Sequence, residues 1–489
     1  MDKREVTTRI LEKLGDSQLV FVAREPERGL GVNSFLGENY NIFASQPSYL
    51  AEQSGLEGRL KILTEANNSS EIIRHPEFID FLKTQEQEKL YLQFFKPIAD
   101  STIEELRSLV GKEIQMLNCI SSLARRLENK IEQFNYLQTS DLGENLAPTK
   151  IGMLSQMEHS ALFGELGEYV LQMPYGHTGE STYLGSEQLL NELKEKYPKR
   201  EVKIVKKLTG RAYTINGMVT SSAQVFLAGL AYQFTGLPEA TPVPMATVGT
   251  DWKIWEQSLS NVQVETIKSL TTKVGGILQQ KGYSGLFGID LIVEFGTNNI
   301  YLIEINSRQT LNIPELSLLQ HAARQVPLQL LNIAHFLGVD LREINQEQYN
   351  SENIVPHAAS QLIARFRGNM ENFSGFDYLA RKSGVYRQMS DNAAREASTS
   401  GKQTDVIFLD ETEDRPIIWQ GDYADFSKIE AGFGLAFSRS AQENLKLNQE
   451  IARIQANRSL AQIVGDEIKL IPLAKDLLGK ITNYTNHEN

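Results

Sequence analysis

Apolar segments of strand length alternate with segments of helical pattern over the first 128 residues. The pattern predicts strands at 18–23, 60–63 and 90–95, and helices between them at 76–84 and 102–110. Strands that alternate with helices are typical of a parallel sheet with helices packed on its faces. We therefore predict an N-terminal α/β domain over residues 1–128.

Residues 129–205 have shorter elements arranged around a glycine-containing loop. A helix is predicted at 121–138, and strands at 169–173 and 202–205 flank a charged helix at 186–196. The loop at 174–182 contains two glycines, which let the backbone approach a ligand closely. This pattern indicates a small α/β lobe at 129–205.

Two further regions complete the chain. Residues 206–345 begin with a strand-rich stretch and continue with a helix at 261–281, a hairpin of strands 286–294 and 300–306, and a helical segment at 313–337. Residues 346–489 carry short predicted strands and two terminal helices, at 441–455 and 466–480. The fold class predicted for the whole chain is therefore α/β.

The hairpin carries the clearest chemical pattern in the sequence. Strand side chains alternate between two faces, so Asp290 lies on the face opposite the apolar positions of the first strand. Those core positions are Ile289, Leu291 and Val293. On the second strand, one face is predicted to carry Tyr301, Ile303 and Ile305, and the other Leu302, Glu304, Asn306 and Arg308. A three-residue turn would pair Phe295 with Asn299, and in that register Asp290 lies opposite Glu304.

Two carboxylates on one face of this hairpin would repel each other unless a cation joins them. Carboxylate and amide oxygens are hard ligands that suit Mg²⁺ bridging nucleotide phosphates, and Mn²⁺ accepts the same ligands. We therefore predict a metal site formed by Asp290, Glu304 and Asn306, with Arg308 beside it to steady an anion. The alternative is a solvated hairpin face with incidental charges.

The Asp-x13-Glu-x-Asn-x-Arg pattern on two apolar strands resembles the metal-binding hairpin of the ATP-grasp superfamily, and is most similar to that of the biotin-carboxylase-like ligases. The resemblance covers residues 115–340 well and the flanking regions loosely. It implies an ATP-grasp fold in which the N-terminal α/β domain precedes a two-lobed nucleotide-binding region, at 129–205 and 206–345, and a β-rich C-terminal cap at 346–489. It also implies that ATP and Mg²⁺ are the cofactors.

Three weaker motifs precede the hairpin in the order expected for that superfamily. The resemblance implies a helix ending in a phosphate-contacting lysine, a strand and glycine loop over the triphosphate, and a hinge strand whose backbone pairs with adenine. The implied nucleotide-binding residues are Lys130, Gln172, Gly176, His177, Gly179, Ser181, Val205, Lys206, Lys207 and Leu208. Each motif also has an ordinary interpretation, as a solvated helix, a plain loop or a basic strand edge.

Gln172 stands where the superfamily commonly has a lysine. Both of its neighbours are apolar and belong to the core face, so we expect Gln172 to face the nucleotide cleft. Glutamine can form a hydrogen bond to a phosphate but supplies no charge. We expect Lys206 or Lys207 to replace part of the missing charge.

The resemblance implies an ATP-dependent carboxylate–amine ligase. In that chemistry a substrate carboxylate attacks the γ-phosphorus to give an acyl phosphate and ADP, and an amine then displaces phosphate to form an amide or peptide bond. Arg308 is the implied catalytic residue, which would stabilise the tetrahedral oxyanion or orient the carboxylate. The implied substrates are small carboxylates and amines, such as amino acids or peptides. The alternatives are an ATP-dependent carboxylase or other carboxylate activator on the same fold, and a nucleotide-binding scaffold without turnover.

Composition narrows the class of protein further. The chain of 489 residues is 41% hydrophobic and 22% charged, as in ordinary globular proteins, and its net charge of −12 disfavours a nucleic-acid partner. Its one cysteine, Cys119, excludes an intramolecular disulfide and fits a reducing compartment. Neither a signal peptide nor an apolar stretch of about 20 residues is visible. We therefore expect a cytoplasmic protein without a membrane partner. The resemblance to biotin-carboxylase-like enzymes further implies that the C-terminal cap contributes to a homodimer interface.

Overall fold

The structure, a computed structural model, describes residues 1–48, 51, 55–176, 181–367 and 448–482, together with six further short strands. Those strands are Phe373–Phe376, Gly384–Gln388, Val406–Phe408, Pro416–Gly421, Gly432–Phe437 and Tyr484–Asn486. Within this described part of the chain, no helix is long and apolar enough to cross a membrane.

The N-terminal region is built on a five-stranded parallel sheet with strand order β3-β2-β1-β4-β5. Its strands are Leu19–Ala23 (β1), Tyr40–Ala44 (β2), Leu60–Ile62 (β3), Lys89–Phe94 (β4) and Glu113–Met116 (β5). Its helices are Lys3–Leu14 (α1), Asn33–Leu36 (α2), Ser69–Ile72 (α3), Pro76–Thr84 (α4) and Asp100–Val110 (α5). The central strands β1, β2 and β4 are buried almost throughout, which explains their continuous apolar sequences. The predicted parallel sheet is confirmed.

A four-stranded antiparallel sheet, with strand order β6-β9-β7-β8, follows. Its strands are Thr149–Met153 (β6), Tyr169–Gln172 (β7), Thr182–Leu184 (β8) and Glu201–Lys206 (β9). The helices of this region are Ser121–Leu127 (α6), Lys130–Gln138 (α7), His159–Leu166 (α8) and Glu187–Lys196 (α9).

The single helix predicted at 121–138 is wrong, because the chain breaks there into α6 and α7. Asn129 lies at the break in an extended conformation, and its side chain accepts hydrogen bonds from the backbone N–H groups of Ile131 and Glu132. Asparagine is a preferred N-cap residue for this reason. Lys130 consequently begins α7, whereas the predicted motif placed it at the end of a helix.

The largest sheet has eleven strands in the order β14-β13-β10-β11-β12-β15-β21-β20-β17-β19-β18. Its strands up to residue 365 are Gly210–Val219 (β10), Val225–Thr235 (β11), Thr247–Asp251 (β12), Gly285–Glu294 (β13), Ile300–Asn306 (β14) and Ser360–Arg365 (β15). The later ones are Gly384–Gln388 (β17), Val406–Phe408 (β18), Pro416–Gly421 (β19), Gly432–Phe437 (β20) and Glu450–Ala456 (β21). Phe373–Phe376 (β16) pairs with Tyr484–Asn486 (β24), and Ala461–Val464 (β22) pairs with Glu467–Leu470 (β23).

The helices associated with this sheet are Asn261–Gln280 (α10), Ile313–Ala322 (α11), Leu328–Phe336 (α12), Gln346–Asn353 (α13) and Pro472–Thr482 (α14). Short 3-10 turns occur at Pro26–Gly29, Gly37–Asn39, Gly143–Asn145, Leu154–Gln156 and Ile254–Gln257. The apolar face of the β13–β14 hairpin belongs to the same hydrophobic core as the buried face of α10. The opposite face of the hairpin is thereby left free for the cleft described below.

The hairpin brings Asp290 directly opposite Glu304, as predicted, but its turn differs from the predicted one. The Glu294 N–H donates to the Asn299 carbonyl, so the turn does not pair Phe295 with Asn299. The strands therefore leave the turn one residue out of the predicted register. The predicted pairing of the two carboxylates nevertheless holds because of a later irregularity in β14.

That irregularity is a β-bulge at Ile303, which has no partner between the Leu291–Leu302 and Asp290–Glu304 pairs. An extra residue on one strand shifts every later pair by one position. The core face of β14 is formed by Ile300, Leu302 and Ile305. The prediction that Leu302 shares a face with Glu304 is therefore wrong.

The C-terminal region differs from the prediction at both terminal helices. The helix predicted at 441–455 is wrong from residue 450 onward, because β21 is a strand paired with β15 and β20; residues 441–447 lie outside the described residues. The last helix, α14, begins only at Pro472, after the β22–β23 hairpin. Because β21 lies inside the sheet and is buried along its length, its long-range neighbours decide its conformation rather than its local sequence.

Candidate active site

A cleft of about 1430 Å³ lies between the four-stranded sheet, the largest sheet and the loops that follow β1 and β4. Most residues predicted to form the site line this cleft. They are Gln172, Gly176, Val205, Lys206, Lys207, Leu208, Asp290, Glu304, Asn306 and Arg308. Lys130 lies just behind the lining and reaches the cleft through Glu304.

Asp290 and Glu304 form an acidic pair at the centre of the cleft. The Asp290 carboxylate accepts hydrogen bonds from the Asn306 and Gln233 amides, each at 3.3 Å. Removal from solvent, together with repulsion from Glu304, raises the pKa of Asp290 to about 6. This is the electrostatic situation that a bound cation would relieve.

The donor set at this pair suits Mg²⁺. It offers two carboxylates and the amide oxygen of Asn306, all hard oxygen ligands, on neighbouring strand positions. Among the described residues, no group of three or more histidine, cysteine or acidic side chains could hold a metal ion. A bound Mg²⁺ would consequently take its remaining ligands from phosphate and water, as it commonly does in nucleotide sites.

Lys130 joins the acidic pair to the glycine loop. Its ammonium group lies 2.7 Å from the Glu304 carboxylate and 3.4 Å from the carbonyl oxygen of Gly176, and the residue is only 2% exposed. Its backbone N–H donates to the carbonyl of Pro174 at the base of the same loop. Lys130 therefore lies where a phosphate under the loop would meet the hairpin carboxylates.

Arg308 lies at the end of the hairpin between an amide and a carboxylate. Its guanidinium donates to the Asn306 side-chain oxygen at 3.0 Å and lies 2.8 Å from the Glu128 carboxylate. Removal from solvent raises the pKa of Glu128 despite the nearby arginine. Glu128 thus fixes the guanidinium at the edge of the cleft.

Gln172 faces the cleft, as predicted, and lies directly opposite Lys203 on the neighbouring strand. Its side-chain oxygen is buried without a hydrogen-bond partner, whereas Leu171 behind it is fully within the core. Lys203 also lines the cleft and is 7% exposed, with its ammonium group over the ring of Phe134. Removal from solvent is the main cause that lowers the pKa of Lys203 to about 8, and Lys130 contributes.

Lys206 and Lys207, the two lysines of the predicted hinge strand, each lie close to a carboxylate outside the acidic pair. The Lys206 ammonium lies 3.7 Å from Glu294, and that of Lys207 lies 2.9 Å from Glu168. Their charges are therefore largely matched by carboxylates. The charge missing at Gln172 is better placed on Lys203 than on either of the two lysines expected from the sequence.

The glycine loop is described only at its two ends. The backbone N–H of Met173 donates to the carbonyl of Ser181, which closes the base of the loop. A side chain at Gly176 would collide with that of Ser181, so this position requires glycine. The predicted ligands His177 and Gly179 lie outside the described residues.

Comparison with known proteins finds similarity in structure but not in sequence. No family model matches the sequence, and no curated protein matches it. The biotin carboxylase domain of Hydrogenobacter thermophilus 2-oxoglutarate carboxylase, solved with MgADP, ADP and bicarbonate, aligns with a TM-score of 0.53 at 12% identity, over 90% of this chain and 86% of that one. Campylobacter jejuni biotin carboxylase gives 0.53 at 12% identity, over 90% and 87%. Aspergillus clavatus carboxyaminoimidazole ribonucleotide synthase, solved with ATP, gives 0.50 at 13% identity, over 90% and 93%.

The chain therefore has the ATP-grasp fold. The alignments extend over nine-tenths of the chain, so the biotin-carboxylase-like arrangement predicted from the hairpin is confirmed for the fold. The acidic pair and Lys203 line the cleft between the four-stranded sheet and the largest sheet, and Lys130 reaches it through Glu304.

Three residues of this candidate site were missed in the sequence. Lys203 could have been predicted from the sequence, because its apolar neighbours Val202 and Ile204 are fully buried and alternation places the lysine on the other face of the strand. Glu128 and Gln133 could not be predicted, because their roles depend on the break between α6 and α7 and on contacts with Arg308 and with β14, far along the chain.

Proposed function

We propose that this chain is an ATP-dependent ligase that activates a small carboxylate and joins it to an amine. The observation that carries the proposal is the convergence of the acidic pair, Lys130, Lys203 and Arg308 on one cleft of an ATP-grasp fold. Structural scaffolds rarely keep an acidic pair and several cations together in one cleft. Charged groups with perturbed pKa values that converge in a cleft are a mark of functional sites.

In the proposed complex, this chain's residues bind and orient ATP. The hinge backbone at 205–208 would pair with adenine, and Lys130, Lys203 and the amide of Gln172 would bind the phosphates. Asp290, Glu304 and Asn306 would hold Mg²⁺. Mg²⁺ bound there would neutralise charge on the phosphate oxygens. Entry of phosphate would give Lys130 and Lys203 anionic partners within the cleft.

The proposed reaction has two steps. The substrate carboxylate attacks the γ-phosphorus, forming an acyl phosphate and breaking the bond to ADP. An amine then attacks the acyl carbon and phosphate leaves, which gives the amide and one proton. Arg308, held in place by Glu128, is positioned to orient the carboxylate and to stabilise the oxyanion of the second step.

An ATP-dependent carboxylase is the second candidate, and the alignments favour it. Two of the aligned proteins are named biotin carboxylases, and one of them was solved with bicarbonate. The acidic pair and the cations would serve bicarbonate as well as an organic carboxylate. A nucleotide-binding scaffold without turnover has less support, because it needs neither the acidic pair nor Arg308.

The deciding experiment measures ADP formation with Mg²⁺ and ATP across a panel of carboxylates, amines and bicarbonate. A ligase releases ADP fastest when a carboxylate and an amine are both present. Stimulation by bicarbonate without an organic carboxylate would select the carboxylase, and binding of an ATP analogue without any stimulated turnover would select the scaffold. If calorimetry detects no binding of Mg-ATP analogue at all, the proposal is wrong.

A further inference from the structure

The order in which the chain adds strands to the five-stranded parallel sheet reverses at β1, beside the cleft. From β1 the chain passes to β2 on one side, whereas β4 pairs with the other side of β1. The loops that follow β1 and β4 therefore leave the same edge of the sheet next to each other. In open parallel sheets, the crevice between two such loops is a favoured place for a ligand.

Both loops bring cations to this crevice. Arg28, in the loop after β1, is 4% exposed, and its Nε has no hydrogen-bond partner. The nearest carboxylate oxygen, on Glu25, is 3.8 Å away, and the guanidinium lies over the ring of Phe95. A buried guanidinium so incompletely paired is a donor that lacks its acceptor.

Lys96, in the loop after β4, faces the same crevice. Within the described chain it forms no hydrogen bond and no ion pair, although it lines the cleft together with Arg28 and Arg308. Its pKa is lowered, first by removal from solvent and then by repulsion from Arg308. An anion bound among these groups would favour the charged form of Lys96 and so oppose both effects.

Positive charge is in excess at this end of the cleft. Glu25 lies between Arg24 and Arg28, at 3.3 and 3.8 Å, and Glu128 is paired with Arg308. The remaining charged groups lining this end are Arg365 and Glu450, and Glu450 is paired with Arg453. Three carboxylates thus face five cations at this end of the cleft. Lys96 forms no ion pair with the described residues there, although Glu128 and Glu25 attract it at longer range.

The crevice cations are distinct from the proposed phosphate-binding lysines. Lys96 interacts electrostatically with Arg308, Glu128, Glu25 and Arg28, whereas Lys203 interacts with Glu304 and Lys130. We propose that the crevice formed by Arg28, Lys96 and Arg308 binds an oxyanion carried by the second substrate, either a phosphate or a further carboxylate. The substrate class is then a small anionic molecule, and this assignment as a substrate subsite rests on the proposed function.

The test titrates inorganic phosphate and, separately, succinate into the protein saturated with Mg-AMP-PNP, so that the triphosphate site is filled. We expect saturable binding that Lys96→Gln weakens by about tenfold or more, the usual cost of losing one charge-assisted contact. Lys83→Gln, an exposed lysine of α4 outside the cleft, is the matched control and should leave binding unchanged. Tighter binding of phosphate than of succinate identifies a phosphate-bearing substrate, and the reverse identifies a dicarboxylate.

Equal anion affinity in the wild type and Lys96→Gln, or the absence of saturable binding, would overturn the subsite. If AMP-PNP itself fails to bind, the proposed function fails, and the same titration without nucleotide still decides the subsite. In that arm, loss of phosphate binding in Lys203→Gln but not in Lys96→Gln places the anion among the other lysines and also overturns the inference.

Discussion

Gln172 and Lys203 lie opposite each other on the adjacent antiparallel strands β7 and β9, with both side chains at the cleft. The superfamily commonly has a lysine at the position of Gln172. Cross-strand partners have side chains only a few ångströms apart, so a cation moved from one strand to the other still reaches the same phosphate. In the proposed function, Lys203 would therefore supply the charge that Gln172 lacks.

We expect Lys203→Gln to weaken binding of AMP-PNP by about tenfold or more, because a phosphate loses a charge-assisted hydrogen bond. Calorimetric titration measures the effect. Lys207→Gln is the matched control, since that lysine is paired with Glu168 and should change affinity little.

The exchange of the two residues gives a sharper test of the same relationship. The double variant Gln172→Lys with Lys203→Gln should recover most of the lost affinity, so the two substitutions should be strongly non-additive. Gln172→Lys alone should gain little, because it places two cations side by side. Additive effects in this cycle would mean that the two positions do not serve one phosphate.

Turnover should depend on each member of the acidic pair. Asp290→Asn and Glu304→Gln remove one metal-binding charge each, so ADP formation should fall by about a hundredfold or more while the protein remains folded. Glu304→Gln should also lower the thermal midpoint, because it leaves the buried Lys130 ammonium without its carboxylate. Glu265→Gln, an exposed substitution on α10, controls for the loss of a surface charge. Either variant retaining a tenth of the wild-type rate with Mg²⁺ present would remove the metal assignment.

The hairpin illustrates how far the sequence alone could go. The alternation of side chains correctly placed Asp290 opposite Glu304. Few pairing registers of these two strands would bury their apolar side chains on one face, so the register was strongly restricted. The prediction succeeded although its turn was wrong, since the bulge at Ile303 cancelled the error. A bulge depends on the pairing of two particular strands, so alternation along one strand cannot reveal it.

Residues whose roles depend on distant partners were beyond sequence reasoning. Arg28 and Lys96 come together only because β1 and β4 are neighbours in the sheet, although their paired residues are 72 positions apart in the sequence. The local sequence of β21 predicts part of a helix, but its pairing with β15 and β20 makes it a strand. Lys203, by contrast, follows from the alternation of β9 and could have been predicted.

Stability should fall with rising pH because of Glu315, a buried residue at the start of α11 whose carboxyl accepts a hydrogen bond from Gln455. Burial raises the pKa of Glu315 to about 8, so the folded protein holds this carboxyl protonated at neutral pH. An unfolded chain would ionise it near its ordinary value of 4.5. The stabilising contribution is therefore complete below that pH, declines by at most about 1.4 kcal/mol per pH unit, and levels off above 8.

Glu315→Gln is neutral at every pH and should remove this decline. Its amide can donate to the Gln455 side-chain oxygen, which has no partner in the described structure. Urea unfolding at pH 5.5, 6.5 and 7.5 should show the variant gaining stability relative to wild type as the pH rises. A constant difference between the two proteins across this range would show that Glu315 titrates normally.

The metal-binding strand should depend on Gln133, a residue of α7 that is 3% exposed. Its side-chain oxygen accepts from the Ile305 N–H at 3.0 Å, and its amide donates to the Ile305 and Leu127 carbonyls. β14 is the edge strand of the largest sheet, so this amide takes the place of a neighbouring strand between Glu304 and Asn306.

Gln133→Leu keeps the volume but leaves backbone groups buried without partners, which should cost about 2–4 kcal/mol of unfolding free energy. Gln138→Leu, an exposed substitution at the end of the same helix, should cost far less. If urea unfolding gave the two variants equal stability, the bridge from α7 to β14 would contribute nothing to holding the metal ligands in place.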